Sequence, residues 1–381
     1  MKSRAFAATL LVMALCLCGC APATETAEDP AKATPRSTRT PAPTPTATPQ
    51  TPVERAAEQV AAMPVAEQAA LVVMGTAPGA DASALGAYVA QGPDGLILMG
   101  ENVPASPGEL RALTDAVHAA FDPALIAIDQ EGGDVSRMPW DDLPSSYDLK
   151  QADPAQAEAA SEARAQLLLE AGVDINFGIV ADVPRSEGSF IYGRSYGTDP
   201  QAVAERVAAT VEGERGVVAS TLKHFPGHGA AEGDSHSAIP TSGITKAEWR
   251  AQDAVPFEAG IDAGAELVMM GHLRFPSVAA EPASLSPEWY RILRDDLGFE
   301  GIAVTDDLGM LGSSGEAAYA DPVANSVAAI AAGADMVLMI AGCTPETAGQ
   351  IIAALAQRAS DDPVFADRLA EAASRVLALT A

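Results

Sequence analysis

Three of the chain's five histidines lie between positions 224 and 236, inside Lys223-His224-Phe225-Pro226-Gly227-His228-Gly229 and Gly233-Asp234-Ser235-His236. Two kinds of chemistry compete for them. His224, His228, Asp234 and His236 all carry groups that a divalent cation accepts. The spacing is not that of a tight helical metal motif, however, and the ammonium of Lys223 would oppose a cation beside it. The other chemistry is acid and base: Asp234 orients and charges His236, which donates a proton. Against both stands the plain alternative of loop side chains satisfied by their neighbours. Further on, Asp306 and Asp307 follow the apolar run Gly301–Thr305. Side chains alternate at a strand end, so one acid enters a pocket and the other turns outward to cap the next helix. A carboxylate in such a pocket can attack an acetal carbon while a separate donor protonates the leaving oxygen.

Residues this far apart need a scaffold that gathers them. Eight short apolar runs read as buried parallel strands: Leu71–Gly75, Gly95–Gly100, Leu125–Asp129, Val173–Phe177, Val217–His224, Leu267–Gly271, Gly301–Thr305 and Met336–Ile340. Between them lie Ala-rich segments that open on a capping residue followed by proline, as at Ser106-Pro107, Asp153-Pro154, Asp199-Pro200, Ser286-Pro287 and Thr344-Pro345. Glu109, three residues after Ser106, completes a capping box. Eight strands alternating with helices predict an α/β chain folded as a single (β/α)8 barrel. A doubly wound open sheet is the alternative, but no Gly-x-Gly-x-x-Gly opens a helix after the first strand. Such barrels carry their chemistry at the C-terminal strand ends. The polar residues collect there: Asp129-Gln130-Glu131-Gly132-Gly133 after strand three, Asn176 on four, Lys223 and His224 on five, His272 after six, Asp306 and Asp307 after seven.

Composition narrows the function further. The 381 residues include 51 Asp or Glu against 23 Lys or Arg, a formal charge of −28, which disfavours nucleic acid as a partner. A 48% hydrophobic share excludes a wholly disordered chain. Lys2 and Arg4 precede an apolar stretch, Ala5 to Leu17, of signal-peptide length. The following Leu17-Cys18-Gly19-Cys20 resembles a bacterial lipobox, so residues 1–19 read as a leader and Cys20 as a lipidated first residue anchoring the protein outside the cytoplasmic membrane. Only Cys343 would then remain as a thiol in the folded part, and no internal disulfide can form. Residues 20–53, rich in Thr and Pro, read as a disordered tether, and residues 54–381 as one domain.

Lys223 to Gly229, Asp234-Ser235-His236, Val304-Thr305-Asp306-Asp307-Leu308-Gly309-Met310, Asp129 to Gly133 and Gly193-Arg194-Ser195 together resemble the glycoside hydrolase family 3 β-N-acetylglucosaminidases of the bacterial cell-wall recycling type. The resemblance covers about residues 55 to 380, with five motifs in the family's order. It implies a retaining mechanism through a covalent glycosyl-enzyme, with Asp306 as nucleophile, His236 as general acid and base, and Asp234 as its partner. It implies sugar contacts at Asp129, Arg137, Arg194, Lys223 and His224, a peptidoglycan-derived substrate, no cofactor, no metal and a monomer. Two segments depart from the pattern: Pro184–Ser189, and the less polar Ala230-Ala231-Glu232-Gly233. A β-glycoside phosphorylase, a β-glucosidase of the same superfamily and a non-catalytic wall-binding lipoprotein stay open as alternatives.

Overall fold

The computed structural model describes residues 50–122 and 124–380, so the expected leader, Cys20 and nearly all of the tether lie outside the described residues. Eight parallel strands close into a barrel in chain order: β1 Val73–Gly75, β2 Gly95–Leu98, β3 Leu125–Ile128, β4 Ile175–Val180, β5 Ala219–Phe225, β6 Leu267–Met270, β7 Ile302–Asp307 and β8 Met336–Met339. Pairing of β1 with β8, Met74 opposite Leu338, closes the ring. Each predicted apolar run supplies one strand, because such a sheet is covered on both faces. Met74, Ile97, Phe177, Met269 and Val304 fill the interior. On the outside, Leu96 and Leu98 of β2 pack in one cluster with Leu110, Leu113 and Val117 of the helix Pro107–Ala120. Each fully buried side chain of this size stabilises the fold by about 1.5–3 kcal/mol.

The helices start where the sequence signals put them. Ser106, Asp153, Asp199 and Thr344 each accept a backbone N–H in the first turn of helices Pro107–Ala120, Pro154–Glu170, Pro200–Glu214 and Pro345–Asp361. Ser286 precedes Pro287–Arg291 without such a side-chain bond. Glu109 meets the Ser106 hydroxyl at 2.9 Å rather than the cap's backbone. The same device opens the domain: Thr51 and Glu54 form a capping box on the helix Pro52–Val60, slightly ahead of the expected boundary at 54.

One end of the barrel is sealed. Asp335, fully buried just before β8, receives Arg368 at 2.6 Å and Arg375 at 3.0 Å from the helix Pro363–Ala378, and also Arg294. Val376 of that helix joins the interior side chains. The polar residues at the C-terminal strand ends face the opposite end of the barrel. Among the described residues no helix is long and apolar enough to cross a membrane.

Strand β4 departs from expectation. It runs to Val180 rather than ending at Phe177, and its pairing with β5 shifts register between Asn176 and Ile179. Asn176 is therefore not at the mouth. Its amide donates to Glu214 at 2.7 Å and to the Gln130 carbonyl at 3.3 Å, tying β3 to the helix Pro200–Glu214. The residue that β4 delivers to the mouth is Asp182.

Candidate active site

At the C-terminal strand ends lies a cavity of about 320 Å3, into which Asp129, Arg137, Arg194, Lys223, His224, His236 and Asp306 all project. Larger hollows around His118 at the barrel floor and around Asp94 between helices contain none of these residues. Of the expected site residues within the described chain, only Asp234 lies outside the lining, and it reaches the cavity through His236.

The cavity's charged wall is a network of ion pairs. Lys223, only 2% exposed, donates to Asp129 at 2.9 Å and contacts Glu131 at 2.6 Å. Arg194 grips Glu131 with two bonds of 2.7 and 2.9 Å, and Arg137 stands 3.5 Å from Asp129. Burial works against the Lys223 ammonium, but Asp129 and Glu131 outweigh it and hold its pKa above the ordinary lysine value. Burial likewise pushes the two carboxyls up, and Lys223 with Arg194 more than reverses this. The wall therefore stays charged at neutral pH, a set of fixed donors and acceptors that a polar ligand would meet without reorganisation.

Asp182 was not among the expected site residues, yet it organises the β5 loop. Its carboxylate accepts the His224 ring Nδ1 at 2.7 Å and the backbone N–H groups of His224 and His228. A carboxylate only accepts, so Nδ1 carries the proton and Nε2 is left as an acceptor, 3.4 Å from Arg194. Burial first, then the Arg194 guanidinium, holds the His224 pKa well below the ordinary imidazole value, which keeps the ring neutral. Burial also raises Asp182 to about 6. The chain reaches this geometry through two glycines. Gly227 has φ of 127°, and a Cβ on Gly229 would stand 2.1 Å from the Val183 carbonyl oxygen.

The next residues hold the Asp234–His236 pair. His228 Nε2 meets the Ser235 hydroxyl at 3.1 Å, fixing the residue between Asp234 and His236. Asp234 Oδ1 accepts both the His236 backbone N–H at 2.9 Å and the ring Nδ1 at 2.7 Å. His236 Nε2 is thereby the nitrogen left free to move a proton. The pair is open to solvent, with His236 62% and Asp234 43% exposed. Of the four groups read as possible metal ligands, His224 is held by Asp182, His228 by Ser235, and Asp234 and His236 by each other; no cluster of three metal-ligating side chains forms among the described residues.

Opposite, β7 ends in the two acids. Asp306 accepts the Asp307 N–H at 2.8 Å. Against burial, its carboxyl is held below the usual aspartate range, with the Asp307 N–H and the Lys223 ammonium among the groups that favour the ionised form. Asp307 caps the helix Leu308–Ser313 as expected, accepting Gly309 N–H at 2.9 Å. It does not turn to solvent, however. It is buried and also accepts the N–H groups of Ile340 and Ala341, clamping β7 to the loop after β8. His272 lies beneath, bonded through Nε2 to the Asp307 carbonyl and through Nδ1 to Ser284, both at 2.7 Å. It positions the strand end and stays out of the cavity lining.

Glu131 is the other functional residue not singled out beforehand. Its signal was present in the sequence: Asp129 and Glu131 are two apart at a strand end, so extended backbone sends both to one side. Glu131→Ala leaves Lys223 and Arg194 buried without their shared counter-charge, and a loss of about 3–5 kcal/mol of unfolding free energy is expected in urea titrations. A loss below about 1 kcal/mol would show that the network does not hold the mouth together. In the wild type this stabilisation is fully present above the unfolded glutamate pKa of about 4.3 and is lost as pH falls through the lower folded value.

Comparison with known proteins places this geometry. Residues 74–379 match the model described as the glycosyl hydrolase family 3 N terminal domain. A beta-hexosaminidase of Stenotrophomonas maltophilia strain K279a is 41% identical over 276 residues, covering 69% of this chain and 80% of the relative. One from Xanthomonas axonopodis pv. citri strain 306 is 38% identical over 279 residues, with the same two coverages. Among solved structures, a beta-N-acetylhexosaminidase from Beutenbergia cavernae DSM 12333 superposes with a TM-score of 0.75 at 30% identity, over 84% of this chain and 98% of that one. A glycoside hydrolase family 3 beta-N-acetylglucosaminidase from Paenibacillus sp. str. FPU-7 gives a TM-score of 0.77 at 29% identity over 84% of this chain, which spans only 62% of that protein. Because the family match runs from within β1 to just past the helix that seals the floor, the chain belongs to glycosyl hydrolase family 3 and is a glycoside hydrolase.

Proposed function

We propose that the protein is a retaining exo-β-N-acetylglucosaminidase that removes terminal β-linked N-acetylglucosamine from peptidoglycan fragments. It acts as a monomer outside the cytoplasmic membrane, held there by a lipid on Cys20 and set off from the bilayer by the tether. The observation that carries the chemistry is the ionised Asp306 in the same cavity as His236, whose Nδ1 is engaged by Asp234 and whose Nε2 is free. The substrate class is supported by the names of the relatives, and the location by the lipobox.

In the first step an Asp306 oxygen bonds to the anomeric carbon as the glycosidic C–O bond breaks, and the leaving oxygen takes the proton from His236 Nε2. Water then attacks the same carbon, His236 takes its proton, and the bond to Asp306 breaks. Asp129, Lys223, Arg194 and Arg137 hold the ring hydroxyls, while His224 Nε2 accepts from one of them. An exposed neutral or cationic donor also lets an anion approach where a carboxylate would repel it, so phosphate is the one acceptor other than water that the exposure of His236 favours.

The test is release of an aryl group from a β-N-acetylglucosaminide beside the matching β-glucoside, with and without phosphate. A preference of at least about a hundredfold for the acetamido sugar is expected, since a site built for hydrogen bonds strongly rejects analogues that lack them. The product is expected to be free sugar in both buffers. Sugar phosphate as main product would make the enzyme a phosphorylase, and equal rates on both sugars would remove the N-acetyl specificity.

A further inference from the structure

We propose that Phe190 is the platform of a leaving-group subsite, which takes the apolar face of the pyranose ring released with the glycosidic oxygen. The inference rests on the glycosidase reading above and adds to it the binding place of the second sugar. Phe190 is a large apolar side chain left 43% exposed. It does not line the cavity that holds Asp306. Instead it stands beside it, its ring centroid 5.5 Å from that of His228 at an angle of 35°, and 6.2 Å from that of His236 at 65°.

The backbone that presents it is anchored on both sides. Arg185 pairs with the buried Asp253 and donates to the Val183 carbonyl, Ile191 next in sequence is fully buried, and Arg194 is locked on Glu131. Phe190 is thus held out towards solvent by a fixed segment.

Position gives the ring a task. The proton donor must come within about 2.6–3.2 Å of the leaving oxygen. Any ring bonded to that oxygen then emerges beside His236, within contact of a phenyl group 6.2 Å away. The cavity itself, about 320 Å3, is at the low end of ligand pockets, and a ring that leaves past His236 at its lining heads towards Phe190. Aromatic side chains bind by large apolar area at small entropic cost, which fits the C–H face of a pyranose.

Three substrates separate this role from others. The glycosyl fluoride of N-acetylglucosamine needs neither a proton nor a leaving-group ring. The methyl β-glycoside needs the proton alone. Di-N-acetylchitobiose needs the proton and carries the ring. Phe190→Ala is expected to lower kcat/KM about tenfold on the disaccharide while the methyl glycoside and the fluoride stay within about twofold of wild type. Phe190→Trp, which keeps an aromatic face, is expected within about threefold of wild type on all three. An equal loss on the methyl glycoside would mean that Phe190 only positions His236, and no loss on the disaccharide would mean that no ring touches it; either result overturns the proposal, as does a Trp variant as impaired as Ala. Failure of the wild type to hydrolyse even the fluoride would overturn the glycosidase reading itself, and the subsite with it.

Discussion

Asp306→Asn is expected to lower kcat by about 10⁴-fold or more on every β-N-acetylglucosaminide, because an amide of nearly the same shape cannot form the covalent bond on which both half-reactions of the proposed mechanism depend. The fold should survive. Asparagine keeps an oxygen to accept the Asp307 N–H, and the clamp between β7 and the loop after β8 is made by Asp307, not by Asp306. A melting temperature within a few degrees of wild type, measured beside the rate, makes the loss one of chemistry. A variant that retained even a tenth of the wild-type rate would remove Asp306 as nucleophile and turn attention to Asp129, another carboxylate in the cavity wall.

His236→Ala tests the other half of the mechanism, and its signature is a dependence on the leaving group. Positioned general acids contribute about 10²–10⁴-fold. A loss of roughly that size is expected on a disaccharide or methyl glycoside, whose alkoxide must be protonated as it departs. On a dinitrophenyl glycoside, which needs no such help, less than about a tenfold loss of the bond-breaking step is expected. Stability should be unchanged because the side chain is 62% exposed and, among the described residues, the ring's only hydrogen-bond partner is Asp234. Equal losses across leaving groups would show that His236 binds sugar rather than moving a proton. Asp234→Ala should follow the same pattern more weakly, since it leaves the imidazole in place and removes only what orients it.

Much of this was legible in the chain because the signals are local. A strand covered on both faces is a short apolar run, and a helix that starts on Ser, Thr or Asp followed by Pro announces its first turn; the eight strands and the caps at Ser106, Asp153, Asp199 and Thr344 follow from that alone. That Asp306, His236 and Lys223 line one cavity was foreseeable because their motifs resemble those of one family. Asp182 was not. Its role depends on β4 running past Phe177 through an irregular pairing, which breaks the alternation that a sequence pattern relies on. Glu131 escaped for a different reason: its partners, Arg194 and Lys223, lie 63 and 92 positions away, and no local rule tells which buried acid will meet which distant cation. Asn176 shows the converse, a polar residue at an apparent strand end that the fold uses to join a strand to a helix.

The two halves of the site are mounted differently. Asp306, Lys223 and His224 belong to barrel strands, and Asp129 follows one directly. Asp234 and His236 sit on the exposed part of the segment after β5, whose flanking Ala231 and Ile239 are buried in the core and whose Ser235 bonds His228. Inheritance can therefore act on them separately. Under the proposed mechanism, insertions or substitutions in the loop would alter how, and to which departing group, a proton is delivered, while the strand-borne residues proposed to select the sugar stay under the strict tolerance of a packed core. A lineage built on this plan can explore new leaving groups one loop at a time without surrendering the sugar it recognises.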